Sequence, residues 1–192
     1  MGIEIERRFL IDPRRMPLAL HKEAMEISMI SQAYLSKPGE SMVVRIRESV
    51  IFVESTLQKV KYELTLKEKA PHLPEGVVEV NTPISEQDWF SLQGSIKGAT
   101  IGKARYKLRL PEEDKIFIEL DQFNERSVIG KWYVAEIEVP SLDYPVILPR
   151  WIQEGGVEIT KFKGLSNLDI AFTPSNVAEK FTDLLSEKRG EV

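Results

Sequence analysis

What most constrains this chain is a pattern repeated along it. Short runs alternate with period two, and one phase of the runs carries charge, acidic in some and basic in others. The first run is Glu4-Ile5-Glu6-Arg7-Arg8-Phe9-Leu10-Ile11. As a strand it places Ile3, Ile5, Phe9 and Ile11 on one face and Glu4, Glu6 and Arg8 on the other. Met42 to Ser49 sets Arg45 and Arg47 against Val44 and Ile46. Val60 to Lys69 sets Lys61, Glu63, Thr65, Lys67 and Lys69 against Tyr62, Leu64 and Leu66. Val77 to Val80 carries Glu79 on its polar face. Ile101 to Leu110 is the most basic run, with Lys103, Arg105, Lys107 and Arg109 in one phase. Two acidic runs answer it: Lys115 to Phe123 with Glu119 and Asp121, and Trp132 to Val139 with Glu136 and Glu138.

With Met29 to Leu35, closed by the turn residues Lys37-Pro38-Gly39, about eight strands are available for one antiparallel sheet. The charged phases then share a face. An open sheet would leave that face in water. Closing the sheet with the charges inward instead puts the apolar phase outside, where helices can cover it. The expected fold is therefore α+β: an eight-stranded antiparallel β-barrel, or tunnel, with a charged lumen and helices packed on the outside.

Three helices are expected. A short one spans about Leu18 to Ile27, with Leu20, Ala24 and Ile27 on one side. A second starts at the N-cap Ser85, has Asp88 completing a capping box, offers Trp89, Phe90 and Leu92 for burial, and ends by Gly94 and Gly98. The last runs from about 175 to 188 with Val177, Ala178, Phe181, Leu184 and Leu185 on its apolar side. Ile51 to Thr56 reads as a strand or a ragged connection, and the chain from Pro140 to Pro149 as a proline-rich loop leading to a short segment at Val157 to Thr160. With no internal repeat and no low-complexity stretch, 1–192 reads as a single domain.

Composition narrows the function. A net charge of −4 with no long basic stretch argues against general nucleic-acid binding. No apolar run is long enough to span a membrane, and no signal-like segment opens the chain. The absence of cysteine removes thiolate chemistry and fits a cytoplasmic protein. His21 and His72 have no zinc-like spacing. A faint phosphate-loop pattern at Gly98 to Ala104 is one residue short and lacks the hydroxyl that holds magnesium.

A lumen rich in Lys and Arg needs an anion, and carboxylates crowded beside them need a cation. A polyphosphate carrying a divalent metal satisfies both. Here a family resemblance enters. Glu4-Ile5-Glu6-Arg7-Arg8 resembles the E-x-E-x-K signature of the CYTH domain, the triphosphate tunnel metalloenzyme superfamily. Val44-Arg45-Ile46-Arg47, Leu64-Thr65-Leu66-Lys67, Lys103-Ala104-Arg105-Tyr106, Glu119-Leu120-Asp121 and Ala135-Glu136-Ile137-Glu138 continue the likeness in order, and Glu158-Ile159-Thr160 and Asn167-Leu168 extend it loosely. Arg8 departs from the signature lysine, keeping charge but exchanging a compact ammonium for a planar fork.

The resemblance implies metal-dependent hydrolysis of a triphosphate, most simply inorganic triphosphate to pyrophosphate and phosphate. It implies that Arg8, Arg45, Arg47, Lys67, Lys103 and Arg105 hold phosphates, and that Glu4, Glu6, Glu136 and Glu138 bind Mg²⁺ or Mn²⁺. Glu79 or Glu119 would complete the metal shell or accept a proton, so the catalytic set is Glu4, Glu6, Arg8, Glu79 and Glu119. Class IV adenylyl cyclase, thiamine triphosphatase and a non-catalytic polyphosphate or nucleotide binder are the alternatives. A small-molecule triphosphate is the expected partner, and a homodimer is left open.

Overall fold

The computed structural model describes residues 2–17, 19–74, 76–124, 130 and 132–190. Among these, ten strands form one antiparallel sheet and five α-helices lie outside it. The strands are β1 (Gly2–Glu4), β2 (Glu6–Ile11), β3 (Glu26–Tyr34), β4 (Met42–Val53), β5 (Thr56–Lys69), β6 (Val77–Pro83), β7 (Ile101–Arg109), β8 (Phe117–Phe123), β9 (Tyr133–Glu138) and β10 (Gly156–Glu158). The helices are α1 (Leu20–Glu23), α2 (Glu86–Leu92), α3 (Arg150–Gly155), α4 (Asn167–Phe172) and α5 (Pro174–Arg189).

The sheet order is β1-β6-β5-β4-β3-β7-β8-β9-β2-β10. Its hydrogen-bond ladder is open, with β1 and β10 at the two ends. Yet β1 and β2 are halves of one N-terminal strand, separated only by Ile5. The first half pairs with β6 and the second with β9 and β10, so the sheet must curl until its far strands meet at Ile5. The eight expected strands become ten because the N-terminal strand changes partners at Ile5 and because the short β10 joins the edge of β2.

Register shows why one face is charged. Arg8 stands opposite Glu136, which stands opposite Glu119, and Glu119 opposite Lys107. Arg45 stands opposite Thr65, and Thr65 opposite Asn81. The other phase builds two apolar clusters on the convex face. Ile5, Phe9, Ile11, Leu108, Ile118, Leu120, Ala135 and Ile137 pack with Leu20 of α1 and Ile152 of α3. Ala33, Ile46, Tyr62 and Leu64 pack under Trp89 of α2.

Helices α4 and α5 sit elsewhere. Leu10, Tyr34, Ile101, Phe123 and Val134 belong by register to the charged-phase face, and they form a core with Ile170, Val177, Phe181 and Leu185. The charged face therefore turns apolar toward one end, and the last two helices cap it there. Asp12 ties this cap down. It accepts two hydrogen bonds from Arg189 at 2.7 and 2.8 Å, and others from Arg14.

Several local expectations change. The first helix is a single turn, because Glu26 already pairs with β7 and the residues from Ile27 onward pair with both β4 and β7; its expected start at Leu18 lies outside the described residues. Ile51 to Thr56 is no ragged connection. Glu54 and Ser55, with φ of 49° and 64°, make a two-residue hairpin turn that continues the ladder from β4 to β5. Phe90 faces solvent at 64% exposure, while Trp89 beside it is buried. Helices α3 and α4, absent from the sequence reading, are six residues each and too short to show a period. The capping box at Ser85 and Asp88 is present as expected.

Candidate active site in the charged cavity

The concave face encloses a cavity of about 780 Å³. The N-terminal strand supplies Glu4, Glu6 and Arg8; β4, β5 and β6 supply Arg45, Arg47, Lys67, Glu79 and Asn81. The opposite side supplies Arg105, Lys107, Glu119, Glu136 and Glu138 from β7, β8 and β9. Eleven of the twelve residues assigned a role from sequence thus line one space. Lys103 is the exception. Its side chain is 0% exposed and its ammonium lies 2.5 Å from Asp121, itself fully buried behind the cavity. Lys103 shares the strand phase but sits where that face has turned toward the capped end.

No site role was assigned from sequence to Lys115, Tyr34 or the cap residues Ser166, Asn167 and Leu168, all of which line the cavity, although the family likeness reached Asn167-Leu168. Lys115 lies on a loop and the cap residues stand at a helix start, where no strand alternation points to them. Lys107 carried the right phase; its ammonium lies 4.3 Å from the Phe117 ring centroid.

The cations differ in how fully they are paired. Arg105 is saturated. Its Nε and Nη2 donate to Asp121 at 2.6 and 2.7 Å, Nη2 also donates to Glu136 at 2.6 Å, and Nη1 donates to Glu119. Four of the five N–H donors of a guanidinium are then taken by three carboxylates. Arg47 is the opposite case. Among the described residues its guanidinium makes no ion pair and no hydrogen bond, and its Nε is shielded from solvent. Burial, with Arg45 and Arg105 nearby, lowers it to about 10. Arg45 is intermediate, donating to Thr65 at 3.0 Å and lying 3.5 Å from Glu79.

Arg8 bridges cavity and cap. Its Nε lies 3.4 Å from Glu136 and 3.6 Å from Glu6, while Nη2 donates to the Leu165 carbonyl at 3.0 Å. A lysine could not serve both sides at once with such geometry.

The carboxylates divide likewise. Burial and a hydrogen bond with Glu79 push Glu4 up to about 7, against the pull of Lys67. Burial and Glu136 raise Glu6. Despite burial, its hydrogen bond with Glu4 and the charges of Lys67 and Arg45 hold Glu79 down to about 2. Glu136 is likewise held well below the ordinary carboxylate range, burial notwithstanding, by Arg105, Lys103 and Arg8. Glu6 and Glu138 stand directly opposite each other on β2 and β9. Among the described residues no three acidic or histidine side chains are already drawn together as a metal cage. The donors fit a hard divalent cation all the same: they are carboxylate oxygens, and the burial and neighbouring carboxylates that raise Glu4 and Glu6 would be countered by a bound cation.

A comparison with curated proteins finds no match. Among solved structures, the inorganic triphosphatase NE1496 is 26% identical, with a TM-score of 0.56 over 90% of this chain and 97% of that one. A second structure of NE1496, described as a hypothetical protein, gives 25% identity and the same TM-score over 88% and 98%. A putative adenylyl cyclase from Hippeastrum, HpAC1, described as having a dominant triphosphatase activity, is 16% identical with a TM-score of 0.47 over 72% and 80%. The family match is broader: residues 2–155 fit the CYTH domain, from the first strand of the cavity wall to the end of α3. By that match the chain belongs to the CYTH domain family.

Proposed function

We propose that this protein is a metal-dependent triphosphatase whose simplest substrate is inorganic triphosphate, cleaved to pyrophosphate and phosphate. The observation that carries the reading is Arg47. A half-buried guanidinium with a shielded Nε and no anionic partner among the described residues, lowered to about 10 by burial beside Arg45 and Arg105, marks a place for a multiply charged anion. The 26% identity with an inorganic triphosphatase supports the same substrate.

Arg47, Arg45, Lys67 and Arg8 hold the phosphates in this reading. Lys107 and Lys115 extend the positive wall, while Arg105 within the wall and Lys103 behind it balance charge. Glu4, Glu6, Glu136 and Glu138 would hold Mg²⁺ or Mn²⁺, which when bound supplies charge neutralisation and polarises the phosphoryl oxygens. Glu79 and Glu119 suit proton transfer poorly. Glu79 sits near 2 and Glu119 is engaged by Arg105, so both act first as partners of cations. We also read 1–192 as one domain. No described helix is long and apolar enough to cross a membrane, and the lack of cysteine supports a cytoplasmic placement.

A second reading has its own observation. Ile3, Val43, Val77, Ile116 and Phe117 add apolar lining to the cavity, which gives room for an organic group beyond the third phosphate. That favours thiamine triphosphate or ATP, including cyclisation of ATP. The deciding experiment offers tripolyphosphate, ATP and thiamine triphosphate with Mg²⁺ or Mn²⁺ and identifies the products. Pyrophosphate plus phosphate from tripolyphosphate is the expected result, and cyclic AMP would replace it with a cyclase. Tight binding without product under either metal would leave a binder. Glu136→Gln should depress turnover at limiting metal at least tenfold; unchanged turnover there removes Glu136 from the metal set.

A further inference from the structure

The proposed function leaves Asp121 without a task. It is fully buried and does not line the cavity, yet two cations converge on it. Its Oδ2 accepts from Lys103 Nζ at 2.5 Å and from Arg105 Nη2 at 2.7 Å, while Oδ1 accepts from Arg105 Nε at 2.6 Å. Three donors on two oxygens, from two positions of β7, leave the carboxylate no freedom to turn. The paired contacts from Nε and Nη2 fix the guanidinium plane as a single point charge could not. The same fork then reaches forward to Glu136 at 2.6 Å and to Glu119, both of which do line the cavity.

We propose that Asp121 is a positioning residue: by clamping Arg105 from behind, it sets the orientation of the cavity carboxylate Glu136 for a divalent cation, with Glu119 held beside it by the same guanidinium. The inference rests on the metal-dependent reading above. Charge balance alone does not require this arrangement, since Lys103 already neutralises Asp121 and Arg8 already faces Glu136. What Asp121 adds is direction. Carboxylates behind a metal ligand's own partner typically matter to metal affinity by roughly ten- to a hundredfold.

The test uses the full chain and two probes separately: Mn²⁺ alone, followed by electron paramagnetic resonance, and tripolyphosphate in chelator, followed by calorimetry. Asp121→Asn should weaken Mn²⁺ binding roughly tenfold or more and leave tripolyphosphate binding within about twofold, since Arg45 and Arg47 are untouched. Lys103 can shed its proton when its partner is neutralised, which favours a folded variant. Arg105→Lys keeps the charge and removes the fork, and should show a metal defect of the same kind; it decides alone if Asp121→Asn fails to fold. Wild-type protein that binds Mn²⁺, with folded variants that bind it equally well, would overturn the role of Asp121 and leave the metal reading standing. Wild-type protein that does not bind Mn²⁺ would remove both. Equal loss of Mn²⁺ and tripolyphosphate in folded variants would also overturn the positioning role, reducing Asp121 to a general part of the framework.

Discussion

The two sides of the cavity carry similar charges and use them differently. On β7, β8 and β9, cations and carboxylates are consumed by each other: Lys103 by Asp121, and Arg105 by Asp121, Glu119 and Glu136. On β4 and β5 the pairing is incomplete, and Arg47 has no partner at all among the described residues. A closed network rigidifies, because removing one member strands the others in low dielectric. An incomplete one stores attraction for something that arrives later. The same residue types in the same strand phase thus divide into framework and receptor, and the division follows from cross-strand partners alone.

The largest effect that would break this contrast is on the framework side. Arg105→Ala strands Glu119 and Glu136 and should lower stability by about 3 kcal/mol or more, read as a drop in denaturant midpoint without ligand. A midpoint equal to wild type would mean that the network is decorative. On the receptor side, Arg47→Ala should leave the ligand-free midpoint unchanged or raised, because it removes a half-buried charge that stands beside the like charges of Arg45 and Arg105. Its cost should fall on kcat/KM for tripolyphosphate, about a hundredfold. Reversed outcomes for these two variants would exchange the roles of the walls.

Lys103→Met should cost less than Arg105→Ala, since Arg105 still holds Asp121 through Nε and Nη2. It also carries a pH signature. Burial, outweighing Asp121, lowers Lys103 to about 8 from an ordinary 10.5. The folded chain then gives up this proton before the unfolded chain does. Between pH 8 and 10.5 the unfolded state binds more protons, so this residue's contribution to stability rises with pH across that window. Urea midpoints at pH 7.5 and 9.5 should separate by less in Lys103→Met than in wild type; equal separation would show that Lys103 is not the group titrating. Arg109→Ala should be the smallest change, because Arg109 is exposed and lies off the cavity. Loss of turnover in that variant would indicate a misassigned register in β7.

How far the sequence reached follows from what alternation encodes. Period two tells which phase a side chain occupies, and it placed Glu4, Glu6, Arg8, Arg45, Arg47, Lys67, Glu79, Glu136 and Glu138 together correctly. It does not tell depth along the strand. Lys103 and Arg105 look equivalent in sequence, yet one is sealed behind the cavity and the other stands at its wall. Nor does it encode which residues of other strands come to stand opposite, diagonal or one strand beyond, which is why the saturation of Arg105 by Glu119, Asp121 and Glu136, 14, 16 and 31 positions away, was not legible. The placement of α5 escaped for a related reason. Its Val177, Phe181 and Leu185 announced a buried stripe, but the strand residues it covers, such as Leu10 and Val134, had been counted with neither face.

Ile5 has a consequence for how the molecule is made. Strands β3 to β9 can assemble largely by pairing with sequence neighbours, since β3 with β4, β4 with β5, β5 with β6, β7 with β8 and β8 with β9 are adjacent along the chain. The N-terminal strand cannot. Gly2 pairs with Glu79, Glu6 with Glu138 and Phe9 with Glu158, so it waits for partners that emerge from the ribosome up to about 150 residues later. Closing loops of that length is entropically slow, and contacts of such high order form late. The segment that brings Glu4, Glu6 and Arg8 to the cavity is therefore expected to be among the last to dock, making completion of the charged cavity a final step of folding rather than a property of its intermediates.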